Sequence, residues 1–199
     1  MSSGSLKDAI AWMSKDFSII ADSGDNPTAG GVGDRTDILK EVLKQKIRHT
    51  LFAGIASKLA YEALKDGDEF TLGGTYGGGG PSLKLKADHV YFKNDCAVAS
   101  VSNTVVIITK LRRPFHNLKD FTDLKIDLKD FKTLIVKSGY LSPELQSLSA
   151  PTFMALTSGA VNQDIKGIEN NNRLQKIYPF QDFNDYSPVV SNGEHLINQ

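Results

Sequence analysis

One cysteine, one tryptophan and no net charge leave this 199-residue chain without most of the chemistry that announces a function. The lone Cys96 excludes an intrachain disulfide and a cysteine-rich zinc site, and leaves the redox compartment open. Lysine plus arginine and aspartate plus glutamate each number 23, so no net attraction to nucleic acid or an anionic membrane is expected. No apolar run approaches the ~20 residues of a membrane span. Met1-Ser2-Ser3-Gly4-Ser5 lacks the basic and apolar regions of a secretory signal, which points to a soluble, cytoplasmic protein. The same residues also read as a scar or as the edge of a larger protein. His49, His89, His116 and His195 are scattered without His-x-His or His-Glu-x-x-His spacing, and each reads as structural or solvent-facing.

What is present is an ordinary globular composition, 40% hydrophobic and 23% charged, in a chain long enough for one sizeable core. Leu6, Ile10 and Met13, with Ala9, form one face of a short helix. Phe17 to Ala21 is apolar, partly β-branched and ends at acids and glycine, so it predicts a buried strand. Ile38, Leu39, Val42, Leu43 and Ile47 share a helical face, with Asp34 as the expected N-cap and Asp37 favouring the positive end. His49 to Ile55 predicts a second strand, and Ser57 caps a helix that Asp66-Gly67 stops. This strand–helix–strand–helix opening implies parallel pairing. Strands are then expected at Glu69 to Leu72, Ser82 to Phe92, Ala97 to Ser102, Thr104 to Lys110 and Thr133 to Lys137. Leu83, Leu85 and Ala87 alternate with Lys84, Lys86 and Asp88, as in a sheet with one wet face. Leu118 to Leu124 predicts a short helix, and periodicity fades after Gly139. The expected class is mixed α/β or α+β: the parallel opening, then a largely antiparallel sheet, as one domain over residues 1–182 with an irregular tail at 183–199.

The most informative segment runs from Asp22 to Thr36. It follows a strand and precedes a helix, which is where α/β proteins place binding and catalytic groups. Asp22, Asp25, Asn26 and Asp34 are fit to bind a cation, orient a polar substrate or act as acid and base. They are equally the ordinary chemistry of turns, as are Pro27 and the glycines. The amides of Gly30, Gly31 and Gly33 are placed to cradle an anion at the helix start. With no Gly-Lys-Ser/Thr ending, a nucleotide P-loop is not expected. A second glycine-rich loop, Gly73 to Gly80, lacks dinucleotide spacing and reads as a hairpin connection, though its composition permits a gate. Lys110, Arg112 and Arg113 read as a solvated strand end or an anion contact. Lys137 and Ser138, after a buried strand, occupy a common site position, and they too read as a plain strand end. Cys96 reads as a small core residue.

Asp25-Asn26-Pro27-Thr28-Ala29-Gly30-Gly31-Val32-Gly33-Asp34-Arg35-Thr36 is similar to the Asp-Asn-Pro-Gly-Gly-Gly-x-Pro-Gly-Asp-x-Thr signature of the MlrC-type (microcystinase C-like) metallopeptidase family. The chain resembles the C-terminal domain of that family. Leu72-Gly73-Gly74, Lys137-Ser138, Ala155 to Ala160 and Ile177-Tyr178-Pro179-Phe180 extend the likeness over most of its length. The resemblance implies a zinc-dependent hydrolase of peptide or amide bonds whose metal ligands belong to an N-terminal domain, in the same polypeptide or a separate subunit. It implies no zinc site and no cofactor in this chain. Asp25, Asn26, Gly30, Gly31, Gly33, Asp34, Lys137 and Ser138 would then hold a peptide or small polar substrate. The alternative is a non-catalytic module for a small anion or a partner protein. Thr28-Ala29, Val32 and Gly139-Tyr140-Leu141 depart from the family pattern and bear on the substrate.

Overall fold

Ser18–Asp22 is apolar at every position but its ends, and all five residues are buried. A strand covered on both faces reads as such a continuous apolar run. The computed structural model describes residues 1–13, 16–169, 172 and 177–180. In chain order these include β1 (Ser2–Ser5), α1 (Leu6–Trp12), β2 (Ser18–Asp22), α2 (Asp37–Lys44), β3 (Thr50–Ala56) and α3 (Lys58–Asp66). There follow β4 (Glu69–Leu72), β5 (Leu83–Lys86), β6 (His89–Lys93), β7 (Cys96–Val101) and β8 (Thr104–Thr109). Then come α4 (Leu118–Thr122), β9 (Thr133–Val136), α5 (Pro143–Gln146) and β10 (Thr152–Leu156).

Among the described residues eight strands form one sheet in the order β1-β10-β2-β9-β3-β8-β7-β6, and β4 and β5 pair in a second. From β1 to β8 every neighbouring pair is parallel; β8, β7 and β6 finish the sheet antiparallel. Successive strand residues point to opposite faces. Ile20, Phe52, Ile108 and Ile135 therefore pack with α1, α2 and α3 on one face. Ile19, Leu51, Ile107 and Leu134 meet Phe115, Phe121, Leu124, Leu141 and Leu145 on the other.

The mixed α/β class, the parallel opening and the antiparallel middle are as expected, but the later strands alter the balance. Thr133–Val136 returns to the sheet centre between β2 and β3, parallel to both. Thr152–Leu156, in the stretch where periodicity fades, is a parallel strand between β1 and β2. Five residues behind Pro151, with only Thr152 β-branched, give little local strand signal. Ser2–Ser5, with the look of a scar, is an edge strand, and Ser5 closes a capping box with Asp8. The expected strand Ser82 to Phe92 is two strands in different sheets, broken where Ala87 N–H donates to Asp68 and Asp88 N–H to Ser100. Thr36, not Asp34, is the N-cap of α2; the Asp34 carboxylate is used elsewhere. Ser57 caps α3 through the amide of Ala60, as expected.

Residues 1–163 form one compact unit that contains all these elements, and residues 164–199 form another, in which Ile165–Gly167 is a 3-10 turn. The expected tail at 183–199 and His195 lie outside the described residues. No helix among the described residues is long and apolar enough to cross a membrane.

Beyond β2 and β10 the chain makes a backbone-to-backbone contact. A Cβ on Gly24 would overlap the Thr157 carbonyl, and one on Gly159 the Gly24 carbonyl. Gly24→Ala should therefore lower stability by about 2 kcal/mol or more in urea unfolding, since overpacking against backbone has no flexible group to relax. Gly67→Ala, at an extended φ of −170° with open space around it, should stay within about 0.5 kcal/mol of the parent.

Candidate functional site

Register places the site. Ala21 of β2 pairs with Val136 of β9, so Asp22 ends its strand beside Lys137, the first residue past β9. The Lys137 side chain is 1% exposed, and its Nζ lies 3.2 Å from Asp22 Oδ2, 2.9 Å from Asp25 Oδ2 and 2.8 Å from the Arg35 carbonyl. Burial alone would pull the Lys137 pKa down. The neighbouring Asp22 and Asp25 carboxylates, through charge and hydrogen bonds, outweigh that and raise it above the ordinary lysine value. The ammonium is held charged by the groups it joins.

Each carboxylate is also bound from its other side. Asp25 accepts the amides of Gly33 through Oδ1 and Arg35 through Oδ2, both at 2.8 Å, which closes the loop into a ring on its own side chain. Asp22 Oδ1 accepts the Thr157 hydroxyl at 2.5 Å, and that hydroxyl oxygen accepts the Gly24 amide at 3.0 Å. Asn26 Oδ1 accepts both the amide and the hydroxyl of Thr28, an Asx turn with no substrate contact required. The Asn26 carbonyl accepts the amides of Ala29 and Gly31. Residues Thr28, Ala29 and Gly30 emerge as an exposed tip; Gly30 sits at φ +96° with open space around it, where glycine carries no steric cost.

The second glycine-rich loop joins β4 to β5, as a hairpin connection should, and it folds onto the first. The Tyr76 amide donates to Asp34 Oδ2 at 2.7 Å, Arg35 Nη1 to the Gly78 carbonyl at 2.8 Å, and the Thr36 hydroxyl to the Pro81 carbonyl at 2.6 Å. A Cβ at Gly78 would collide with Val32 and crowd Asp34, so the close approach of the loops requires glycine there. Asp34 Oδ1 is buried with no hydrogen-bond partner among the described residues.

Asp25 and Lys137, 112 residues apart, thus meet directly. Gly31 and Gly33 spend their amides inside the loop, which leaves the Gly30 amide and Asn26 Nδ2 as donors without an acceptor among the described residues. Ser138 donates to the Tyr140 carbonyl. Asp22, Thr157 and Arg112, whose Nη1 reaches the Gly31 carbonyl at 3.2 Å, belong to the same assembly. The signal for Asp22 was present, because an acid ending a fully buried strand needs a cation. Nothing local marks Thr157, whereas Arg112 belongs to the basic run read as a strand end or an anion contact. The other two residues of that basic run form ion pairs, Lys110 with Asp95 and Arg113 with Asp120. Cys96 is buried, and burial pushes its thiol pKa up, so it is a core residue.

Among the described residues no three His, Cys, Asp or Glu side chains stand together so as to hold a metal ion. Asp22 and Asp25 already share the Lys137 ammonium. The described residues do not fit a zinc site.

Lys137→Met should cost about 3–5 kcal/mol, because it strands two buried carboxylates. That deficit should shrink on acidification, since uncompensated buried carboxylates take up protons in the folded state first. In the parent protein the Lys137 contribution is complete below the unfolded lysine pKa of about 10.4 and is lost as pH rises through the higher folded value. Urea unfolding of both proteins between acid and alkaline pH measures each effect.

The fold resembles that of a crystal structure from Mesorhizobium sp. BNC1, a "putative metallopeptidase", at 16% identity and a TM-score of 0.68 over 92% of this chain. The chain spans 42% of that protein's length. No curated protein matches the sequence. The model of the MlrC C-terminus family matches residues 20–172, from the β2 strand through the loop, Lys137 and β10. By that match the chain belongs to the MlrC C-terminus family.

Proposed function

We propose that this chain is the accessory, substrate-side domain of an MlrC-like hydrolase of peptide or amide bonds, with zinc supplied by a separate metal-bearing domain or subunit. One observation carries the reading. Large apolar side chains stand exposed on the edge of the sheet that also bears the loop: Leu59 (70%) just after β3, Leu111 (75%) just after β8 and Tyr140 (70%) after β9. Tyr76, also exposed, is tied to the same edge, its hydroxyl accepting the Lys58 amide at 2.9 Å and donating to the Lys110 carbonyl at 3.2 Å. Singly such residues need no explanation; four on one edge favour a partner surface.

In this reading Asn26 Nδ2 and the Gly30 amide meet substrate carbonyls. Asp25, Gly31, Gly33, Asp34, Lys137 and Ser138 act by holding that surface in place, and the unpartnered Asp34 oxygen supports a role for the carboxylate once a ligand or partner is bound. The chain would work in the cytoplasm, on a peptide or small polar substrate.

Metal analysis and amide-hydrolysis assays on the purified chain test this. Substoichiometric zinc and no turnover are expected, with activity appearing on addition of a metal-bearing MlrC-like domain; tight stoichiometric zinc together with turnover would overturn the accessory role. Leu111→Asp and Tyr140→Asp should leave the fold intact and weaken the complex with that domain roughly tenfold or more each, as truncated apolar anchors do.

A further inference from the structure

β3 and β8 are parallel neighbours, yet the chain leaves them toward opposite faces. After β3 it enters α3, whose Ala60, Tyr61 and Leu64 pack on the first face; after β8 it runs to Phe115, Phe121 and Leu124 on the second. Strands whose connections part in this way leave a crevice at their carboxyl ends, the usual ligand position in parallel sheets. β2 and β9 part likewise, into α2 on one face and α5 on the other, but there Lys137 fills the gap with its ion pairs.

An open cleft lies at the carboxyl end of β8, bounded by the start of α3 that follows β3 and by the turn between β6 and β7. Lys58, Lys110, Arg112 and Arg113 line it, with Thr109 at the end of β8 and Asp95 on the turn between β6 and β7. Lys110 is paired with Asp95 at 2.7 Å and Arg113 with Asp120 at 2.8 Å. Lys58 and Arg112 have no carboxylate partner among the described residues, and Arg112 makes one bond, from Nη1 to the Gly31 carbonyl. Two cations without a carboxylate, lining one cleft, set the sign of the group it suits.

We propose that this cleft binds an oxyanion, the carboxylate or phosphate group of a ligand, through the Arg112 guanidinium and the Lys58 ammonium. The planar fork suits two-point recognition of such a group, and the ammonium adds a second, mobile charge. The bond from Arg112 to Gly31 ties the occupied cleft to the neighbouring loop. This assignment goes beyond the hydrolase reading and stands on this chain alone, so zinc content and turnover neither support nor sink it.

An NMR titration of the full chain at constant ionic strength, with inorganic phosphate and separately with succinate, tests it. Saturable shifts at the amides of Lys58 and of Thr109 to Arg113 are expected, and whichever anion binds tighter identifies the group. Arg112→Met and Lys58→Met should each weaken binding roughly tenfold, the loss of one charge-assisted contact. Lys58 lies on the exposed first turn of α3, so its variant remains informative if the Arg112 variant is disturbed through Gly31. Arg112→Lys should favour phosphate over succinate, since the charge survives and the fork does not. Unsaturated shifts spread over the exposed Lys84 and Lys86, or saturable binding indifferent to both methionine variants, would overturn the assignment.

Discussion

Everything at the carboxyl edge of this sheet depends on one buried ammonium. Lys137 is surrounded by Asp22, Asp25 and a backbone carbonyl, and with water excluded each partner is needed to offset the cost of burying the others. Such a cluster adds little net stability over a well-packed apolar one, but removing one partner from it is costly. Here those chains are the ends of β2 and β9 and the first turn of the loop. The ion pairs determine where Asp25 stands, and Asp25 in turn determines the path of Gly33 and Arg35. The loop is held from below by charge, not by packing of its own side chains.

The two glycine-rich loops then form a single surface. Asp34, Arg35 and Thr36 each spend a side-chain group on the second loop, and Gly78 is small enough to let the backbones close together. The exposed tip at Thr28 to Gly30 is thus the free end of a braced structure. A rigid base with a permissive tip suits recognition, since little ordering is left to oppose binding. The apolar residues after β3, β8 and β9 sit on the same edge because parallel strands all end there, and the family match assigns this edge to the MlrC C-terminus.

Parallel topology also explains why polar chemistry collects on one side of the molecule. Adjacent strands β2 and β9, and again β3 and β8, send the chain to opposite faces, and each parting opens a gap at the strand ends. One gap is closed by a charge from within. Beside the other, Lys58, Lys110, Arg112 and Arg113 line an open cleft at the carboxyl end of β8.

Local pattern by itself determined the buried strands β2, β3 and β9, the helices α2 and α3 and the loop between Asp22 and Thr36, because apolar period, capping residues and glycine act over a few neighbours. The loop's signature also placed the chain among its relatives. What the sequence could not express is pairing across distance. β10 carries almost no local signal and is a strand because β1 and β2 flank it; β1 reads as a tag and is an edge strand for the same reason. Asp34 has the chemistry of a helix cap, yet tertiary structure hands it the Tyr76 amide and leaves the cap to Thr36. Lys137 reads as a solvated strand end until the register of β2 against β9 buries it between two aspartates more than a hundred positions away. Hydrophobic period states which face a residue takes, while only the assembled sheet decides which charge waits on the neighbouring strand.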